Sequence, residues 1–235
     1  MQFAKTVMRG MGFGVVAAAL LYAPAHATVI EQDVFPGLGV SFLLGTPSGD
    51  ETVNLTGSMQ INVTLESVDG GASDSNGNGR DDVPTEIVSL SLSGSSSLGP
   101  VSVGLRAGTP SLGGIEETAN NNAGTLDIAP FEPTGTADSF FDVFFEIVIG
   151  GTTLHNVAPA HIATVIDHKP GALSDIEAML GSFSPVGLFD DNDNSTGFTV
   201  AGAGRFQPVP EPATTALFGL GLVGIGFAAR RRKRR

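Results

Sequence analysis

The sequence has no cysteine, no tryptophan and a single tyrosine, Tyr22. Without cysteine there can be no disulfide, no thiolate nucleophile and no Cys-based metal site, so an exported domain made from this chain must be held by its core alone. Tyr22 falls in the N-terminal apolar segment, so residues 28–207 have only phenylalanine to offer a sugar ring. That weighs against a carbohydrate-binding module, which would present Trp or Tyr platforms. Basic residues are also scarce. Only Arg80, Arg106, Lys169 and Arg205 of the 12 lie in 28–207, whereas Glu211 is the one acidic residue of 24 outside it. The segment therefore carries 23 acidic against four basic side chains, a balance of −19 compared with −12 for the whole chain. Such a surface repels nucleic acid and anionic headgroups and attracts divalent cations. Nucleic-acid binding is excluded on this ground.

The two ends carry what the middle lacks. Lys5 and Arg9 form a small basic region, Met11 to Leu21 is an apolar run, and Ala25-His26-Ala27 fits the small-x-small cleavage rule. Residues 1–27 are expected to be a signal peptide cleaved after Ala27, with Ala25 and Ala27 as the small pair. At the other end stand Val209-Pro210-Glu211-Pro212, an uncharged run from Ala213 to Ala229, and Arg230-Arg231-Arg232-Lys233-Arg234-Arg235. Pro210 and Pro212 separate what precedes them from a helix. At ~1.5 Å per residue the run reaches about 26 Å, the short end of what crosses a bilayer. The six basic residues would stay cytoplasmic, so the preceding chain faces outward.

The motif, the glycines Gly219, Gly221, Gly224 and Gly226, and the basic end together resemble the PEP-CTERM sorting signal of Gram-negative bacteria. The resemblance covers only the last 27 or so residues. It implies handling by an exosortase, a membrane-embedded cysteine transpeptidase-like enzyme acting near the motif, with 213–229 as a transmembrane helix. The sequence thus divides into a signal peptide (1–27), an acidic ectodomain (28–207), enough for one domain with a real core, and a sorting signal (208–235).

Between the ends, period-two alternation marks strands. It runs through Val53, Leu55, Met59, Ile61, Val63 and Leu65, with Gly57 as a bend, and again through Val88, Leu90 and Leu92. Val101–Leu105, Thr125–Ile128, Ser139–Ile149, Thr153–Val157, His161–Ile166 and Gly197–Val200 read as further strands. The apolar density from Phe144 to Ile149 suggests burial on both faces. Residues 28–49 read as an apolar lead-in and 108–124 as a loop. One helix is expected at Ser174–Leu180, with Ser174 as N-cap, Glu177 completing a capping box and Gly181 following. Short strands and Gly/Pro/Asn turns point to a mainly β chain, an antiparallel β-sandwich or barrel-like ectodomain. Val83–Val88 and Phe140–Glu146 resemble a recurring ectodomain of exported sorting-signal proteins, which implies location rather than activity.

One stretch has the pattern of a cation site. In Asp74-Ser75-Asn76-Gly77-Asn78-Gly79-Arg80-Asp81-Asp82, oxygen-bearing side chains alternate and then meet a glycine. Calcium takes six to eight hard oxygens, and alternate residues can turn theirs inward. Asp74, Asn76 and Asn78 would ligate through side chains, Arg80 through its carbonyl, and Asp82 directly or through water. The loop is not an EF-hand, because Thr85 stands where the closing Glu is needed and Pro84 blocks an exiting helix. The competing reading is a polar turn, for which Asn and Gly suffice.

Other constellations are weaker. Asp190, Asp191 and Asp193 read as a solvated acidic loop. His155, His161 and His168 read as strand-end histidines, with Pro159 breaking the strand between the first two. Glu116-Glu117 reads as an exposed charged pair, not as glycosidase carboxylates. No GxSxG elbow or phosphate loop occurs. The expected function is a non-enzymatic exported cell-surface or extracellular-matrix protein, whose partners are an exosortase, the membrane through its C-terminal helix, and exopolysaccharide or another matrix component. The first alternative is a calcium-dependent adhesion or polysaccharide-binding module, and the second a secreted hydrolase.

Overall fold

The structure, a computed structural model, describes residues 28–203. The expected signal peptide with Ala25 and Ala27, the motif Val209–Pro212, the 213–229 span and the tail Arg230–Arg235 lie outside the described residues. Eleven strands and one helix follow in order: β1 (Val29–Thr46), β2 (Gly49–Leu65), β3 (Asp82–Ser96), β4 (Gly99–Leu105), β5 (Ser111–Glu117), β6 (Ala137–Val143), β7 (Phe145–Ile149), β8 (Thr152–Asn156), β9 (Ala160–Ile166), α1 (Leu173–Leu180), β10 (Val186–Phe189) and β11 (Ser195–Gly202). Every paired strand is antiparallel, as the alternation predicts.

The pairings close on themselves. Going round, β1 pairs with β2, β2 with β3, β3 with β4, β4 with β7, β7 with β8, β8 with β10, β10 with β11, and β11 with β1. Eight strands form a barrel, which removes the free sheet edges an open sheet would expose. A second layer branches from β3. Its first half, Asp82–Ile87, pairs with β5, and β6 and β9 follow, whereas its second half, Ser91–Ser96, stays in the barrel with β4. The switch happens at a register shift against β2 between Gln60 and Ile61. The inward positions change there from Val83, Thr85 and Ile87 to Leu90 and Leu92, as one extra residue in a strand requires. Among the described residues, the strand pairings and the buried core run from residue 29 to residue 202.

Several expectations are corrected. The lead-in 28–49 is an 18-residue strand joined to β2 by a hairpin at Pro47-Ser48. It was hidden because Pro36 and Gly37 interrupt the alternation: Asp33 and Phe35 point inward, then Leu38, Val40, Phe42 and Leu44. A bulge at Gly37, φ +74°, shifts the parity by one. In 108–124, Ser111–Glu117 is a strand. Gly113 is needed there because a Cβ would lie 2.0 Å from the Phe140 carbonyl oxygen. Thr125–Ile128 is not a strand and makes only a bridge from Thr125 to Gly71. Ser139–Ile149 is broken at Phe144, and its second part is buried on one face, with Glu146 exposed. Strand β10 was not foreseen. Helix α1 begins after Ala172 with no side-chain cap. Ser174 and Glu177 form no capping box, because the Glu177 carboxylate instead accepts the Gly39 backbone N–H at 2.8 Å.

Candidate functional site

The loop leading into β3 is organised by Asp74. Its Oδ1 accepts the backbone N–H groups of Gly77 (2.7 Å) and Asn78 (2.9 Å), and its Oδ2 accepts that of Gly79 (2.8 Å). Gly77 and Gly79 have φ of +76° and +87°, which glycine adopts without steric cost. Successive N–H groups thereby turn toward one carboxylate. These bonds, that from Gly79 foremost, hold the Asp74 carboxyl below its ordinary range. Asn76 Oδ1 accepts the Asn78 N–H at 3.0 Å, and Asn78 Oδ1 accepts the Arg80 N–H at 2.8 Å. Asp82 closes the loop by accepting the N–H and hydroxyl of Ser75 at 2.9 and 2.8 Å.

Glu116 joins this loop from β5, a contribution that sequence reasoning missed. Its Oε1 accepts the side-chain amide of Asn76 at 3.0 Å and that of Asn78. The Asn76 amide, then the Asn78 amide, keep the Glu116 carboxyl low. Hydrogen bonds therefore link Asp74, Asn76 and Asn78 with Glu116, whereas the Asp82 carboxylate is held by Ser75 and Arg80 enters through its backbone N–H. No three His, Asp or Glu groups converge on one ion-sized point among the described residues. A cation held here would depend on asparagine and carbonyl oxygens as much as on carboxylates.

Glu117, the next residue, faces the other way, as strand alternation demands. It is fully buried, which corrects the expectation of an exposed pair. Glu117 Oε1 accepts the Asp81 N–H at 2.9 Å and Oε2 the Asp127 N–H at 3.3 Å. Burial pushes its carboxyl up, with the charges of Asp127 and Asp81 adding to the rise. Asp81 and Asp127 are themselves buried. Asp81 accepts the Gly124 N–H, and Asp127 Oδ2 accepts those of Asn121 and Asn122. Asp127 Oδ1 is buried and accepts nothing. These three carboxylates fasten the 119–127 segment beneath the Asp74 loop. The available signal was the Glu-Glu pair at the end of an alternating stretch, which puts one of the two inside.

The histidines do not gather. His155 Nε2 lies 2.8 Å from Asp193 Oδ1, His161 Nδ1 lies 2.9 Å from Asp142 Oδ1, and His168 contacts Asp167. The acidic stretch at 190–194 is the hairpin turn between β10 and β11. Asp190 accepts the Asn192 and Asn194 N–H groups at 2.9 Å each, and Arg106 stands 3.6 Å from Asp193. The backbone N–H of Asn194, foremost, holds the Asp190 carboxyl low. Asp191 is not drawn into these contacts.

Residues 208–233 match the PEP-CTERM protein-sorting motif. That match supports an exported protein sorted by an exosortase through its C-terminal motif. No curated protein matches the chain. Among solved structures, DynF from the dynemicin biosynthesis pathway of Micromonospora chersina is similar over 86% of this chain and 94% of its own, at 18% identity and a TM-score of 0.43. No helix among the described residues is long and apolar enough to cross a membrane.

Proposed function

We propose that this chain is a non-enzymatic surface or matrix protein, whose C-terminal segment first anchors it in the membrane and then hands it to an exosortase. The match of residues 208–233 to the sorting motif carries this reading. The acidic, cysteine-free barrel supports it, being a fold that needs no oxidising step after export. The test is to express the full chain in a host with and without an exosortase, beside a Pro210→Ala, Glu211→Ala variant. With the enzyme, the wild type is expected to lose its C-terminal segment and leave the inner membrane, and the variant to remain there at precursor mass. Equal processing of both would sink the proposal.

A second reading, a calcium-dependent adhesion or polysaccharide-binding module, is favoured by one observation: Glu116 reaches across to a loop already shaped around Asp74. Asp74 and Glu116 put two carboxylates at one loop, beside the side-chain oxygens of Asn76 and Asn78, and oxygen ligands of this kind suit a hard cation. Calorimetry with calcium on the barrel, beside an Asp74→Ala, Asp82→Ala variant, tests it. Binding lost in the variant supports the module, and no heat at millimolar calcium removes it.

A further inference from the structure

We propose that the barrel binds the hydrocarbon tail of an acyl chain, taken end-on with its polar head left in water. Where the inner faces of β1, β2, β3, β4, β7 and β11 meet β6, β9 and α1 is a cavity of about 60 Å³. A water-sized group needs about 10–15 Å³ measured this way, so there is room for roughly four to six of them. Native cores are close-packed, with few voids larger than one water. A space of this size, bounded by large side chains of several strands, is more than one missing methyl. Water does not suit it, because a buried water needs two to four polar partners. The wall is apolar throughout, including Phe42, Leu55, Leu92, Phe145 and Ile147.

The same wall selects the ligand class. It has no side-chain donor or acceptor, so a polar group drawn inside would lose its hydrogen bonds without replacement. An unbranched hydrocarbon loses nothing on entry and gains dispersion contacts that the void denies its own lining. Barrels of eight strands have an interior of about the size that either fills with side chains or holds one small ligand. Two lining residues, Val103 and Phe183, are only partly buried, which marks them as the entry. Phe183 lies on the connection between α1 and β10, tied to the barrel by the Gly202 N–H donating to its carbonyl at 2.9 Å. Ala160 and Ile162 of β9 complete the wall, and the small Ala160 leaves space that a larger residue would fill.

The experiment uses the full chain in membranes and dodecanoic acid carrying a diazirine at its chain end. Photolysis followed by peptide mass spectrometry locates the adducts. The expected result is labelling of peptides bearing Leu92 and Ile147, reduced at least tenfold by excess unlabelled dodecanoic acid. In Ala160→Phe, which fills the cavity, and Val103→Trp, which narrows the entry, barrel labelling is expected to fall at least tenfold while labelling of 213–229 is unchanged. Wild-type protein labelled only in 213–229 overturns the proposal without recourse to any variant. So does labelling of the barrel that excess dodecanoic acid leaves in place, or that persists in both variants when circular dichroism shows them folded.

Discussion

Asn156 Oδ1 accepts the Phe145 backbone N–H at 2.8 Å, from a side chain with no exposure to solvent. This bond sits at the break between β6 and β7, where the chain passes from the second layer into the barrel. Asn156 Nδ2 donates to the carbonyls of Val143 and Ala158, both at 2.9 Å, and Ser111 Oγ accepts the Phe144 N–H at 2.9 Å. Side chains thus supply the backbone partners that a continuous strand would have found in its neighbours.

Replacing Asn156 should therefore be costly. Asn156→Ala strands one donor, the Phe145 N–H, and one acceptor, the Val143 carbonyl, in the interior, at about 1–3 kcal/mol for each unsatisfied group. A loss of at least ~2 kcal/mol is expected in urea unfolding of residues 28–203. Asn156→Asp should do no better, since it sets a carboxylate against two carbonyl oxygens. A loss below about 1 kcal/mol for the Ala variant would show that water replaces the amide.

Lys169 is the counterpart for charge. Its Nζ lies 2.7 Å from Glu31 Oε2 and 3.0 Å from Asp33 Oδ1. The lysine and Asp33 are both buried. Burial pushes the Asp33 carboxyl up, and Lys169 offsets this only in part. Lys169→Met should cost about 3–5 kcal/mol at pH 7, because it leaves a buried carboxylate alone. Lys169→Met with Asp33→Asn should recover part of that. A folded pKa raised above the unfolded one means that stability declines as pH rises through the folded value. The loss in Lys169→Met should therefore shrink as pH is lowered toward 4, when melting temperatures of variant and wild type are compared.

Asp74 gives the opposite sign. Its folded pKa is depressed, so the order it confers is fully present above the unfolded value of 3.8 and is lost as pH falls through the lower folded value. Hydrogen-exchange protection of the Gly77, Asn78 and Gly79 amides should be present at neutral pH and absent in Asp74→Ala. The wild type should approach the variant only in strong acid. Equal protection in both at pH 7 would mean that the backbone alone shapes the loop.

Two glycines separate steric from conformational demand. A Cβ at Gly57 would lie 1.9 Å from the Ser91 carbonyl oxygen on the paired strand, whereas a Cβ at Gly77 would meet nothing. Gly57→Ala should lower stability by about 1–3 kcal/mol or more, through overpacking. Gly77→Ala should cost about 1–2 kcal/mol, through its left-handed backbone alone. Denaturant melts of the two variants check the order. A tolerated Gly57→Ala would require β2 and β3 to separate without penalty.

The sequence by itself determined the β class, most strand positions from Val53 onward, and the sorting signal. Each rests on information local in the chain: a period of two, a turn residue, or motif, apolar run and basic tail in order. The loop at 74–82 was legible for the same reason, since Asp74 is satisfied within five residues of itself. What local pattern does not contain, only the tertiary structure decided. A bulge at Gly37 or near Val88 reverses which residues face inward, so β1 was lost and the branching of β3 between two layers went unseen. Glu116 and Glu117 are neighbours in sequence and opposite in environment, one at the loop and one buried against Asp81 and Asp127. Glu177 pairs with a backbone 138 residues earlier instead of capping its own helix. The barrel closes because β1 pairs with β2 on one side and β11 on the other, and β6, β9 and α1 complete the cavity beside it. That closure depends on which distant strands can meet and bury their apolar faces together.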